Sequence, residues 1–262
     1  MIDFLKNYRP KNVEKYTKVR VGSKFDGGYV IMQNIVNYDL FVSCGISDNM
    51  DFEDDFLTQY KNVKCLAFDG TISSMPDNHP RITFIRKNIG DKNNDSMTTL
   101  KEFIEPYKNV FLKMDIETWE FKWLNSINQN ELKKFAQIVI EIHFPFTRSE
   151  SVFKTRCGVM NVEKKIELMK KLFINHKLFH IHGNSSCGIT QIDNKKLPNV
   201  LECTLVRNDL ISESEIFGIT LESPPIYSTF IIRLFGLFPR FHISQRLMYR
   251  HVVFLQLHLL KV

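Results

Sequence analysis

Two hydrophobic patterns alternate along this chain. Short apolar runs of strand length are followed by polar stretches where apolar residues return every three or four positions. The first run is Asp39-Leu40-Phe41-Val42-Ser43-Cys44, closed by Gly45. An acidic segment follows, with Phe52, Phe56 and Leu57 spaced for one helix face. Asn62 to Phe68 predicts a second strand ending at Asp69, and Arg81 to Ile85 alternates as a third. Thr98 to Glu105 reads as a helix stopped by Pro106. Val110 to Met114 predicts a fourth strand ending at Asp115, and Trp119 to Leu132 one or two helical pieces. Ala136 to Ile142 predicts a fifth strand closed by His143. A long helix is expected over Val162 to Ile174, with Ile166, Met169, Leu172 and Phe173 on one face. Leu178 to His182 and Val200 to Val206 are two last strands with no helix between them.

Strand–helix alternation of this kind predicts an α/β fold: a mostly parallel sheet covered on both faces. The last two strands are free to pair antiparallel at the sheet edge. Ligands in such sheets bind beyond the carboxyl ends of the strands. That directs attention to Gly45, Asp69, Asp115 and His143.

Composition changes the picture in one respect. The 262 residues are 44% hydrophobic and 24% charged, which excludes wholesale disorder. The net charge of +6 would raise nucleic acid or an anionic membrane as partners. However, residues 225–262 hold five basic residues (Arg233, Arg240, Arg246, Arg250 and Lys261) and no acidic one, leaving 30 basic and 29 acidic in residues 1–224. The expected organisation is therefore a domain over 1–224 and a basic, apolar tail over 225–262. A small-molecule or glycan acceptor suits the near-neutral body, and nucleic acid is disfavoured. If the tail is helical, four of its arginines fall within an arc of about 140°, as on a helix lying in a membrane interface. Peripheral membrane contact through the tail competes with a simple packing extension. Five cysteines without CxxC spacing argue for free thiols in a reducing, cytoplasmic setting. Met1 to Asn7 has no apolar core of a signal peptide.

The strand ends carry the candidate chemistry. Gly45 lets the backbone turn tightly beside a ligand, and Asp69, 24 residues on, suits the hydroxyls of a ribose. A turn glycine and a capping carboxylate is the plainer alternative. Asp115, Glu117 and Glu120 form a group that can orient a substrate, hold a metal or cap the next helix. His180 and His182 share a strand face, and His143 with His182 makes a pocket plausible. A metal held by these histidines with Asp115 or Glu117 is a rival reading. The spacing matches no metal motif, so no metal is assigned.

Taken in order, these residues resemble a known family. The set is Asp26-Gly27-Gly28-Tyr29-Val30, Val42-Ser43-Cys44-Gly45-Ile46-Ser47, Ala67-Phe68-Asp69-Gly70-Thr71, Leu112-Lys113-Met114-Asp115-Ile116-Glu117, Ile140-Glu141-Ile142-His143 and His180-Ile181-His182-Gly183-Asn184. It is similar to the FkbM-like, methyltransferase-like proteins among class I S-adenosylmethionine-dependent methyltransferases, over roughly residues 20–224. The resemblance implies a Rossmann-like seven-stranded sheet with an antiparallel last strand. It implies S-adenosylmethionine as cofactor, with Ser43, Gly45, Ser47, Asp69 and Asp26 around it. It also implies methyl transfer, often to a sugar or small-molecule hydroxyl, with Asp115, His143, Glu117 and His182 as the catalytic set. His143 or Asp115 would serve as base. Two positions depart from the family pattern. Ser47 stands where a second glycine is usual, and Thr118-Trp119 where Gly or Ser then Ala is usual. Trp119 would pack under the sheet or fill part of the acceptor site. A fold that kept the cofactor site but lost the chemistry, and a metal-dependent nucleotide-sugar transferase using Asp115 and Glu117, are the competing readings.

Overall fold

The computed structural model describes residues 12–13, 15–24, 27–146, 160–184, 187–192, 195–212 and 216–217. Asp26 and the 225–262 tail, both singled out above, lie outside the described residues. Among the described residues, no helix is long and apolar enough to cross a membrane.

Seven strands form the main sheet: β1 (Leu40–Cys44), β2 (Cys65–Phe68), β3 (Ile82–Ile85), β4 (Val110–Met114), β5 (Phe135–His143), β6 (His176–Gly183) and β7 (Val200–Arg207). Their spatial order is β6-β7-β5-β4-β1-β2-β3. From β5 through β4, β1 and β2 to β3 all neighbours are parallel. β7 is antiparallel to both β5 and β6. The last two strands pair antiparallel as the sequence predicts, but β7 enters between β5 and β6, so β6 is the edge.

Alternating side chains build two cores, because successive strand residues face opposite sides. Leu40, Val42 and Cys44 of β1 and Leu112 and Met114 of β4 join one cluster. Residues from helices α2 (Lys101–Ile104), α3 (Glu120–Ser126), α4 (Gln129–Leu132) and α5 (Val162–Leu172) complete it. Phe41 and Phe111 face the other way, onto helix α1 (Asp51–Gln59). There the Phe56 ring centroid lies 4.5 Å from Phe41 and 4.3 Å from Phe111. Each such buried ring contributes about 2–3 kcal/mol.

The second face is completed by a hairpin, Lys18–Gly22 paired with Gly28–Met32, rather than by helices alone. Buried Gln137 of β5 anchors the hairpin. It accepts from the Met32 amide at 2.7 Å and donates to the Met32 carbonyl at 3.0 Å and to Tyr38 Oη at 2.6 Å.

Two helices differ from expectation. Only Lys101–Ile104 is helical in the 98–105 stretch. Asn93 Oδ1 accepts from the Thr99 amide, and Thr98 Oγ1 from the Leu100 amide, so side chains compete with the first helical turn. Leu100 sits at φ +73°, outside helical space. α5 ends at Leu172, and its buried residues are Lys165, Leu168, Met169 and Leu172, while Ile174 is exposed.

Candidate functional site

The tips of β1, β2 and β4 are laced together. The Gly45 amide donates to Phe68 O and the Asp115 amide to Cys44 O, both at 2.9 Å. Gly45 has φ +79°, and a Cβ there would lie 1.7 Å from Asp115 O. Only glycine fits both constraints. Beneath the turn, Lys113 is buried, donating to Gly45 O at 2.5 Å and lying 3.7 Å from Glu53. Ser43 is fully buried and donates to Glu53. Its hydroxyl thus supports the turn from below instead of lining its open side.

Asp69 closes the same turn. Its Oδ2 accepts from the Ile46 and Ser47 amides at 3.1 and 3.0 Å, its Oδ1 from the Thr71 amide and hydroxyl at 2.7 and 2.6 Å. All four acceptor directions of a carboxylate are used. Burial opposes its charge, but the hydrogen bonds from Thr71, Ser47 and Ile46 more than offset this. They hold Asp69 below the usual carboxylate range. Ser47 takes φ +54°, the left-handed backbone that the missing glycine would adopt freely.

A second cluster spans the ends of β4, β5, β7 and β6. His143 is buried, with Nδ1 2.9 Å from Glu120 Oε1. Its Nε2 faces Glu117 Oε2 at 3.6 Å, Glu141 Oε2 at 3.6 Å and Asp115 Oδ1 at 3.9 Å. Tyr29 of the hairpin reaches in, its hydroxyl donating to Asp115 Oδ2 at 3.2 Å. Glu141 stands opposite Glu202 in the β5–β7 ladder. His182 Nε2 lies 3.1 Å from Glu202 Oε2, and His180 Nε2 lies 3.2 Å from His182 Nδ1.

Charge crowding shifts these groups. Burial, then Asp115 and Glu202, push Glu141 up to about 9. Burial disfavours the charged His143, but Glu120, Asp115 and Glu141 outweigh it and raise the imidazole to about 10. Asp115 is raised by burial, against the pull of Lys113 and His143.

The structure thus brings Gly45, Ser47, Asp69, Asp115, Glu117 and His143 to one end of the sheet. His182 joins through Glu202 and Glu141, not by direct contact with His143. Glu117 (φ +53°) and Thr118 (φ +81°) both have left-handed backbones, placing Thr118 in the conformation suited to glycine. Trp119 is half-buried, with Lys122 Nζ 4.3 Å from its ring centroid and Gly90 at its edge. Sequence reasoning had Tyr29, Glu120 and Glu141 in its motifs without assigning them site roles, and missed Glu202 altogether. For Glu141 a signal existed: it lies two positions before His143, on the same strand face.

The sequence profile of the methyltransferase FkbM domain matches residues 6–173. No curated protein matches the sequence. Among solved structures, a fibrillarin/Nop5p complex is similar at 10% identity and TM-score 0.39, covering 76% of this chain and 98% of that chain. Precorrin-6y C5,15-methyltransferase from Geobacter metallireducens is similar at 9% identity and TM-score 0.32, covering 66% and 83%. The Methanococcus jannaschii fibrillarin pre-rRNA processing protein is similar at 11% and 0.34, covering 75% and 84%.

Proposed function

Because the chain belongs to the FkbM methyltransferase domain family, we propose that it moves a methyl group from S-adenosylmethionine to a hydroxyl of a sugar or other small molecule. The observation that carries this reading is the meeting of the Gly45 turn, Asp69 and Asp115 at one end of the sheet. A tight glycine turn held against a β2-end carboxylate suits an adenosyl ribose. Because the acceptor directions of Asp69 are filled, a ribose hydroxyl takes the place of the Thr71 hydroxyl, the one side-chain donor, which can rotate away. When bound, S-adenosylmethionine supplies an electrophilic methyl group on a sulfonium.

The chain's own residues then hold the acceptor in line. Asp115 Oδ1 is buried without a hydrogen-bond partner among the described residues, so it is the acceptor for the substrate hydroxyl. Tyr29 fixes the other oxygen of Asp115, and Glu120 fixes the His143 ring. Ser47 and Thr118 do not speak for lost chemistry, since both keep the backbone that glycine would take. The near-neutral body favours a small or glycan acceptor over nucleic acid. We take residues 1–224 as one unit, supported by the pairing of Asn12–Val13 with Ile216–Phe217.

Calorimetric titration with S-adenosylmethionine tests the reading. Wild type is expected to bind one equivalent and Asp69→Ala at least tenfold more weakly. Absence of binding by wild type removes the cofactor and the reaction together.

A further inference from the structure

His143 is a side chain enclosed by carboxylates, yet only one of them hydrogen-bonds to it. Glu120 holds Nδ1 at 2.9 Å. The oxygens facing Nε2, from Glu117, Glu141 and Asp115, stand at 3.6, 3.6 and 3.9 Å, too far for hydrogen bonds. Independently, Asp115 Oδ1 is buried and has no hydrogen-bond partner among the described residues. Such an atom costs about 1–3 kcal/mol unless something fills the gap.

We propose that Asp115, Glu117 and His143 bind one divalent cation. Their ligand atoms all lie within 4.8 Å of one another. Two ligands on a cation with bonds of about 2.1 Å are about 3 Å apart at right angles and about 4.2 Å apart when opposite. The spacings from His143 Nε2 to Glu117 and Asp115, 3.6 and 3.9 Å, fall in that range. Glu120 on Nδ1 is the outer partner that commonly orients a metal-binding imidazole, and Nε2 releases its proton to solvent as the ion takes its place. The local charge also calls for a cation. Asp115, Glu117, Glu120, Glu141 and Glu202 converge here, while Lys113 is engaged with Gly45 O and Glu53. Two carboxylates and one imidazole suit Mn²⁺ or Zn²⁺. Three protein ligands leave positions open for water or a substrate oxygen.

The cation site stands whether or not methyl transfer occurs. Its use in the reaction rests on the methyltransferase reading. A substrate hydroxyl would bind the ion and share Asp115 Oδ1, which has two lone pairs. The ion would lower the pKa of that hydroxyl.

The test is titration of the chelator-treated full chain with MnCl₂, following free Mn²⁺ by electron paramagnetic resonance, and with ZnCl₂ by calorimetry. Wild type is expected to take one ion per chain. Glu117→Gln is expected to bind at least tenfold more weakly. Since Glu117 is 58% exposed, its metal-free thermal unfolding should match wild type, which separates ligation from folding. Glu120→Gln is expected to weaken binding about 10–100-fold through ring orientation. No uptake of either ion by wild type at millimolar concentration overturns the proposal, as does wild-type affinity in Glu117→Gln. Ion uptake without S-adenosylmethionine binding would leave this site standing and remove the methyltransferase reading. The reverse result would do the opposite.

Discussion

A methyl group placed on the Cα of Gly45 would lie 1.7 Å from the carbonyl oxygen of Asp115. The end of β1 and the end of β4 touch at this point, so the turn and the acidic cluster are mechanically one piece. Gly45→Ala therefore meets a backbone clash as well as a left-handed φ. Together these cost about 2–5 kcal/mol. Urea unfolding should show that loss, with cofactor affinity falling alongside it. Wild-type stability would mean that the strand ends separate without cost.

Thr118 carries the opposite prediction. A β-branched residue at φ +81° is strained, and its buried hydroxyl has no hydrogen-bond partner among the described residues. Thr118→Gly should stabilise the protein by about 1 kcal/mol after the entropy cost of glycine. A rise in Tm of about 2–4 °C would register it. A fall in Tm would show that packing of the Thr118 methyl outweighs the strain.

Asp69 and Thr71 should separate turn closure from ligand binding. Asp69→Asn loses acceptor capacity toward two amides and should cost about 1–2 kcal/mol, besides weakening S-adenosylmethionine binding. Thr71→Val removes only the hydroxyl that a ribose would displace. It should lose about 1 kcal/mol of stability but bind the cofactor no more weakly than wild type. Equal losses of affinity in both variants would refute the displacement.

His176 sets a pH dependence far from the site. Burial, chiefly, lowers it to about 4, and Nε2 stays 2.8 Å from Phe135 O. The unfolded chain takes up this proton below about 6.5, the folded chain only below about 4. The unfolded state thus binds more protons between these values, and stability falls as pH falls through the window. The loss is about 3 kcal/mol at 1.36 kcal/mol per unit. Urea midpoints from pH 7 to pH 4 should fall more steeply for wild type than for His176→Gln. Parallel curves would show that His176 is protonated in the fold.

Periodicity along the chain was enough to find all seven strands of the sheet, the α1 face through Phe52 and Phe56, and the strand-end positions of Gly45, Asp69, Asp115 and His143. These are properties of neighbouring residues, because side-chain alternation and helical spacing act over a few positions. The rest depended on strand order. Tyr29 meets Asp115 across 86 residues of chain, because the hairpin lies over the strands that hold the site. Glu141 faces Glu202 only because β7 inserts between β5 and β6, and that opposition of like charges adds to burial and the Asp115 charge, the larger causes that raise Glu141. Two of the four donors that saturate Asp69 come from a turn 22 and 23 residues earlier. Sequence thus determined which residues reach the end of the sheet. Tertiary pairing decided which of them touch, because hydrogen bonds and charge interactions depend on distances that local sequence does not encode.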